Sequence, residues 1–232
     1  MRGQLQTAVA LIYPPSCLAC GAPVDGDGGL CGPCWRDTAF IDGVVCETCG
    51  VPLLGDGADG DALWDHGRAA LLYRETGRRL VLALKHGDRQ DIAKPAGRWM
   101  ARVIVPFVTP TTLVIPVPLH WSRLWKRRFN QSALLAKAIA RERGLGWCPD
   151  ALRRVRRTQS LDGKGRGERF AHLDGAITAH PRRAHLMAGR PVLLVDDVMT
   201  SGATLQAAAL ACLAVGAGPI CIVTLARVAK DT

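Results

Sequence analysis

Residues Val192 to Gln206 read VLLVDDVMTSGATLQ. An apolar run meets two adjacent carboxylates, Asp196 and Asp197, and opens at once into hydroxyls and a glycine. Thr200, Ser201, Gly202, Ala203 and Thr204 offer successive backbone amides and Oγ groups ahead of a small-residue helix, which is a ready site for one phosphate monoester. The acids suit a different task. Adjacent carboxylates at a strand end accept hydrogen bonds from vicinal hydroxyls, as in a ribose, and help retain Mg2+ through its waters. A helix N-cap signal alone does not account for the Thr-Ser-Gly-x-Thr that follows. A ligand with a phosphate at one end, a diol in the middle and a metal-bound pyrophosphate satisfies both halves, and phosphoribosyl pyrophosphate fits that description.

Cysteine spacing points to a second kind of chemistry. Six of the nine cysteines fall within the first fifty residues as CxxC pairs: Cys17 with Cys20, Cys31 with Cys34, and Cys46 with Cys49. Each pair can present two thiolates from one tight turn, and two pairs about a dozen residues apart close a tetrahedral Zn2+ site. Cys17, Cys20, Cys31 and Cys34 meet that rule. A disulfide framework does not suit an odd cysteine count without a secretory signal. The third pair has no fourth CxxC after it. Either Asp61, Asp65 or His66 completes a mixed site there, or Cys46 and Cys49 survive from a ribbon without metal, the reading preferred here. Cys148, Cys212 and Cys221 lie singly in apolar or helical contexts and read as core residues.

The elements that must position these groups alternate in an α/β manner. Ala69 to Arg74 reads as a strand, Gly77 to Gly87 and Asp91 to Ile104 as helices, and Thr111 to Pro118 as a buried strand. Asn130 caps an amphipathic helix that Gly144 ends. The strand Pro191 to Asp197, a helix from about Ala203 to Val215, and a last strand, Pro219 to Ala226, complete the series. Such alternation predicts a mostly parallel α/β sheet with right-handed crossovers, whose ligands bind at the carboxyl ends of the strands. The acidic, glycine-rich segment from Gly55 to Asp61 reads as a linker, so a zinc ribbon over 1–55 and an α/β domain over 62–232 are expected.

The chain has 232 residues and a formal charge of +10. From His120 to Phe170 there are fourteen Lys and Arg against four Asp and Glu, so this stretch carries the whole excess. It reads as an electrostatic footprint for phosphates, free or in nucleic acid, interleaved with Trp121, Trp125 and Phe129, which stack on bases or plug a core. No stretch approaches the roughly 20 apolar residues of a membrane span. The apolar patch Ala8 to Ile12 is too short for a signal peptide, and the protein is read as cytoplasmic.

The diacid segment resembles the signature of type I phosphoribosyltransferases over thirteen residues. With the cysteine pairs, IPVPLHWSRLWKRRFNQSALLAKAIA (115–140) and RRVRRTQSLDGKGRGERF (153–170), nearly the whole chain resembles the ComF family of competence proteins. The resemblance implies a phosphoribosyltransferase-like fold behind a zinc ribbon, binding of phosphoribosyl pyrophosphate with Mg2+, and a role in handling single-stranded DNA during natural transformation. It implies that Asp196 and Asp197 hold the ribose diol and metal, and that Thr200 to Thr204 hold the 5′-phosphate. It further implies that Pro118, Leu119 and His120 form the turn facing pyrophosphate, with Arg157 and Arg169 on a hood loop at RTQS. Where the family shows Arg-Gly-Phe-Asn-Gln, this chain has Arg127-Arg128-Phe129-Asn130-Gln131, and loss of the glycine predicts a less unusual backbone there.

Two functions from different classes remain open at this level. One is a phosphoribosyltransferase, in which Mg2+-bound pyrophosphate leaves C1 of the ribose by positioning and charge stabilisation. The other is a non-enzymatic adaptor that uses the basic face and zinc ribbon to grip single-stranded DNA and a DNA-translocating partner protein. Lys85-His86-Gly87 reads as a helix C-terminus with its favourable cations rather than as a catalytic group.

Overall fold

The computed structural model describes residues 15–25, 29–52, 62–86, 89–156 and 175–229. Its frame is a five-stranded parallel sheet in the order β1-β7-β6-β2-β3, formed by β1 (His66–Leu72), β2 (Leu113–Pro116), β3 (Gly146–Trp147), β6 (Val192–Met199) and β7 (Ile220–Arg227). The mostly parallel α/β class read from the alternation is the one observed. Period-two burial sorts the central strands between two cores. Leu193, Val195, Val223 and Leu225 face α2 (Glu75–His86), α3 (Ala93–Val103) and α5 (Gln131–Arg143). Val192, Leu194, Ile220 and Ile222 face α6 (Ala203–Leu213) and a short antiparallel hairpin, β4 (Leu152–Arg154) with β5 (Ile177–Ala179).

The helices follow their apolar spacing. Leu135, Ala136, Ile139 and Ala140 place one face of α5 in the core, Asn130 caps its start by accepting from Ser132 N at 3.0 Å, and Gly144 ends it in the left-handed region. Asn130 Nδ2 also donates to the Val117 carbonyl at 3.0 Å, fixing the entry of α5 against the end of β2.

Two strands differ from their sequence boundaries. β1 begins at His66 rather than Ala69, because its partner β7 pairs from His66↔Cys221 onward whatever the polarity of the side chains. β6 runs past the two acids to Met199, since Val198 and Met199 still pair with Ala226 and Arg227. The basic 120–156 stretch holds three elements without a clear periodic signal, the helix α4 (Trp121–Arg127) and strands β3 and β4. Cys148, Cys212 and Cys221 are buried core residues, as read.

The cysteine segment lies against the outer edge of β1. A short helix, α1 (Gly32–Arg36), leads into a bridge between Phe40 and Leu71, and Leu72 N, Ile41 N and Gly67 N bond to Ala39 O, Ala70 O and Glu47 O at 2.8, 3.0 and 2.8 Å.

One backbone expectation is overturned. Arg128, which stands where the family resemblance has glycine, takes φ +65° as the C-cap of α4 while its N–H bonds Leu124 O at 2.7 Å. The turn into Asn130 therefore keeps the left-handed conformation although its glycine is gone, because the cap geometry is set by the α4–α5 connection. A side chain there costs about 1 kcal/mol. Arg128→Gly is expected to raise unfolding free energy by about that amount in a denaturant titration.

Candidate functional site

The two acids sit in the second half of β6 and are held by protein groups on several sides. Asp197 is 4% exposed, Gln131 Nε2 donates to its Oδ2 at 2.8 Å, and Lys85 Nζ lies 3.2 Å from its Oδ1. Ser132 Oγ donates to Asp196 Oδ1 at 2.8 Å, and the Asp197 amide donates to the same oxygen at 2.8 Å. Burial, and then the charge of Asp197, push the Asp196 carboxyl up to about 7, against the pull of the Ser132 hydroxyl. Gln131 is itself buried, and its Oε1 has no hydrogen-bond partner among the described residues.

The loop after β6 turns through Gly202, which takes φ +80° as the N-cap of α6. The left-handed φ favours glycine, and a Cβ at Gly202 would lie a tight 3.1 Å from Met199 Cε and 3.3 Å from the Trp64 ring. Arg227 Nη1 donates to the Met199 carbonyl at 3.1 Å and also to the Thr200 carbonyl, pinning the loop to the end of β7. Thr200, Ser201, Gly202, Ala203 and Thr204 thus lead directly into the N-terminus of α6, one strand end away from the acids.

Pro118, Leu119 and His120 come to the same side of the sheet, since β2 ends beside Val195 and Val117 N bonds Val195 O at 2.9 Å. His120 is buried and caps α4, its Nδ1 accepting from Ser122 N at 3.3 Å and lying 2.9 Å from Ser122 Oγ. Arg157 and Arg169, with the RTQS stretch, lie outside the described residues.

Five groups at the site carried other readings, or none, in the sequence. Lys85 sits in the last turn of α2, where it read as a favourable helix-end cation, and it instead meets Asp197. Gln131 and Ser132 open α5 directly after its cap, and their contact with the diacid gives a physical reason for the Asn-Gln-Ser run. Arg127 is lowered in pKa by burial and raised again by Asp197, so its charge is felt at the acids. Arg154 is likewise lowered by burial and by Arg123, with Asp196 opposing. The acids therefore face a cationic surround that suits a polyphosphate.

The first two cysteine pairs converge. Ligand sulfurs of Cys17, Cys20, Cys31 and Cys34 all lie within 4.8 Å of one another, and Cys20 Sγ is 3.6 Å from Cys31 Sγ. Tetrahedral Zn–S bonds of about 2.3 Å place sulfurs about 3.8 Å apart, so the cluster fits the ion. Burial opposes ionisation of Cys17, but amide donors, Cys31 N at 3.3 Å foremost, hold its thiol down at about 6. Burial and the neighbouring sulfurs push Cys34 up to about 12. Among the described residues Asp65 and His66 do not join Cys46 and Cys49 in a group that could hold a metal: Asp65 Oδ2 accepts from Ile220 N at 2.8 Å, and His66 Nδ1 lies 3.3 Å from Glu47 Oε2.

Comparison with known proteins extends this geometry. The double zinc ribbon domain family matches residues 8–63, a span that includes all three cysteine pairs. The DNA utilization protein YhgH of Escherichia coli K12 is 29% identical over 228 residues, covering 94% of this chain and 99% of that protein. Competence protein F of Haemophilus influenzae is 33% identical over 93 residues, 40% of each chain. The chain is thus similar along nearly its whole length to YhgH and over a shorter stretch to competence protein F. A crystal structure of a Staphylococcus aureus hypoxanthine phosphoribosyltransferase, 15% identical, aligns over 63% of this chain and 69% of its own at a TM-score of 0.34. The zinc-ribbon match and the four-cysteine cluster together support a structural Zn2+. Among the described residues no helix is long and apolar enough to cross a membrane.

The raised Asp196 carboxyl gives the protein a pH signature. The folded chain keeps a proton that the unfolded chain releases near its ordinary value, so raising pH from about 4 to about 7 favours unfolding through this group. Thermal midpoints of the wild type should fall across that window relative to Asp196→Asn, whose carbonyl oxygen still accepts from Ser132 and the Asp197 amide. Parallel curves for the two proteins would show that Asp196 ionises normally.

Proposed function

We propose that the protein binds phosphoribosyl pyrophosphate with Mg2+ across the diacid and the Thr200–Thr204 loop, and serves the handling of single-stranded DNA in natural transformation. The observation that carries the ligand reading is the pairing of a protein-braced diacid with a left-handed glycine turn at a helix N-terminus, on adjacent stretches of one strand and loop. In this reading the Thr200–Thr204 amides and hydroxyls bind the 5′-phosphate, and Asp196 and Asp197 orient the ribose diol. Lys85 and Arg127 face the pyrophosphate end. Mg2+ would be held through its waters by the diacid, chiefly Asp196, where it would supply neutralising charge to the pyrophosphate. Lys85 already balances Asp197, so Asp196, with its raised carboxyl, is the acid whose proton must leave when the cation binds.

The DNA reading draws on the printed names of the relatives, a DNA utilization protein and a competence protein, and on one surface. Trp121 is 67% exposed and Trp125 is 83% exposed, four residues apart on α4 among Arg123, Lys126 and Arg128. They do not plug a core. Exposed indoles beside cations suit stacking bases and their phosphates, and the arginines of β4 extend the charge.

The two halves of the ligand site should fail differently. Asp197→Asn is expected to weaken phosphoribosyl pyrophosphate binding mainly in the presence of Mg2+ while leaving sulfate binding intact or stronger, because a negative charge near the anion is gone. Gly202→Val should damage both, since its β-branched side chain strikes Met199 and Trp64 and disfavours the left-handed turn. Calorimetric titration of both variants with each ligand, with and without Mg2+, checks this. Wild-type protein that binds neither ligand would overturn the ligand reading.

The surface is tested separately. Removing both indoles, as Trp121→Ala with Trp125→Ala, should weaken binding of a short oligothymidylate by at least about tenfold, at about 1–3 kcal/mol per stacked base. Unchanged affinity in fluorescence anisotropy would remove α4 from the DNA-binding face.

A further inference from the structure

The two described knuckles of the cysteine segment are copies of one turn with different partners. Cys17 to Pro23 reads CLACGAP and Cys46 to Pro52 reads CETCGVP. In the first, Cys17 N bonds Ala22 O at 2.7 Å, Gly21 N bonds Cys17 O at 2.9 Å, and Ser16 bridges Pro23. In the second, Cys46 N bonds Val51 O at 2.8 Å, Gly50 N bonds Cys46 O at 2.8 Å, and Val45 bridges Pro52. The first knuckle closes on Cys31 and Cys34. The second closes on the start of β1 and on Trp64.

That second contact is tight and specific. Trp64 Nε1 donates to the Thr48 carbonyl, inside the Cys46–Cys49 turn, at 2.6 Å. Glu47, one residue earlier, accepts both Nη2 bonds of Arg68 at 2.8 and 2.9 Å, and its carbonyl accepts from Gly67 N at 2.8 Å. A Cβ at Gly67 would fall 2.2 Å from the Thr48 carbonyl oxygen, so only glycine lets the turn come this close. Trp64 and Cys49 belong to the same buried cluster as Met199 and Leu205, the residues that bracket the phosphate loop. The far edge of the indole ring lies under Gly202, and beside it Leu63 N donates to Gln206 Oε1 of α6 at 3.2 Å.

We propose that Trp64 is a positioning residue for the phosphate loop and that the Cys46–Cys49 knuckle is its anchor. The turn that in the first copy holds a metal site here fixes the hydrogen-bonded end of an indole, whose other end forms the floor beneath the left-handed turn at Gly202. Successive amides bind an anion only when their directions are held, so a floor that stops the loop sinking into the core maintains the anion geometry. This inference rests on the reading of Thr200 to Thr204 as a phosphate site.

The test compares inorganic sulfate and phosphoribosyl pyrophosphate binding by calorimetry in the full-length wild type, Trp64→Leu, Trp64→Phe and Trp99→Leu. Trp99 packs in the core on the opposite face of the sheet, with its ring 5.5 Å from that of Phe40, and serves as the control for loss of a large aromatic. Melting temperature and zinc per chain are measured for each. Trp64→Leu is expected to weaken sulfate by at least about tenfold, the equivalent of one misdirected charge-assisted hydrogen bond, with zinc content unchanged. Trp64→Phe, which keeps a ring but not the N–H donor, is expected to fall between it and the wild type, and carries the test if the leucine variant does not fold. Trp99→Leu should melt earlier but bind as the wild type does. Wild-type affinity in both Trp64 variants would overturn the proposal, as would an equal loss in Trp99→Leu. Failure of the wild type to bind either anion would overturn the phosphate site itself and this inference with it.

Discussion

Two neighbouring carboxylates in the middle of an otherwise apolar strand are the constraint around which the molecule is arranged. Adjacent ionised acids repel, and withdrawing them from water costs free energy unless donors or cations replace the hydration. The chain meets this from three directions: the amide of Asp197 itself, the first turn of α5 through Gln131 and Ser132, and the last turn of α2 through Lys85. Each of those helices must end or begin at one level of the sheet for the contacts to form. The caps at Asn130 and Arg128, and the short α4 between β2 and α5, are the local means by which that level is set.

The loop beyond the acids is held from two sides. Arg227 grips its carbonyls from the end of β7, while Trp64 and Met199 lie beneath Gly202. The cysteine segment and the loop are thus linked by direct contacts, from the Thr48 carbonyl through an indole to a glycine turn. The cysteine segment in this arrangement is joined to the carboxyl end of the sheet rather than tethered at a distance.

Much of the architecture was legible because its signals are local and periodic. Four of the five strands of the central sheet, the capped helix after Asn130 and the four-cysteine spacing each follow from patterns a few residues long. What was not legible depended on long-range contacts. Lys85 carries all the marks of a helix-end cation, and only the packing of α2 on β6 brings it to Asp197. Trp121 and Trp125 have the composition of core residues, and their exposure follows from how α4 sits, not from their type. Arg128 shows the limit from the other side: an arginine keeps a glycine's backbone because the connection between two elements demands it.

The parallel sheet has two edges, and they end differently. One is β3, only two residues long, while the other, β1, would present seven residues of backbone were it bare. Ala39, Ile41 and Glu47 of the cysteine segment take up hydrogen bonds along that edge, so the strand has no free row of donors and acceptors there. An open strand of that length invites pairing with another chain. The cysteine segment is therefore also a guard on colloidal behaviour, and a molecule that lost it would be prone to self-association before any question of ligand arose.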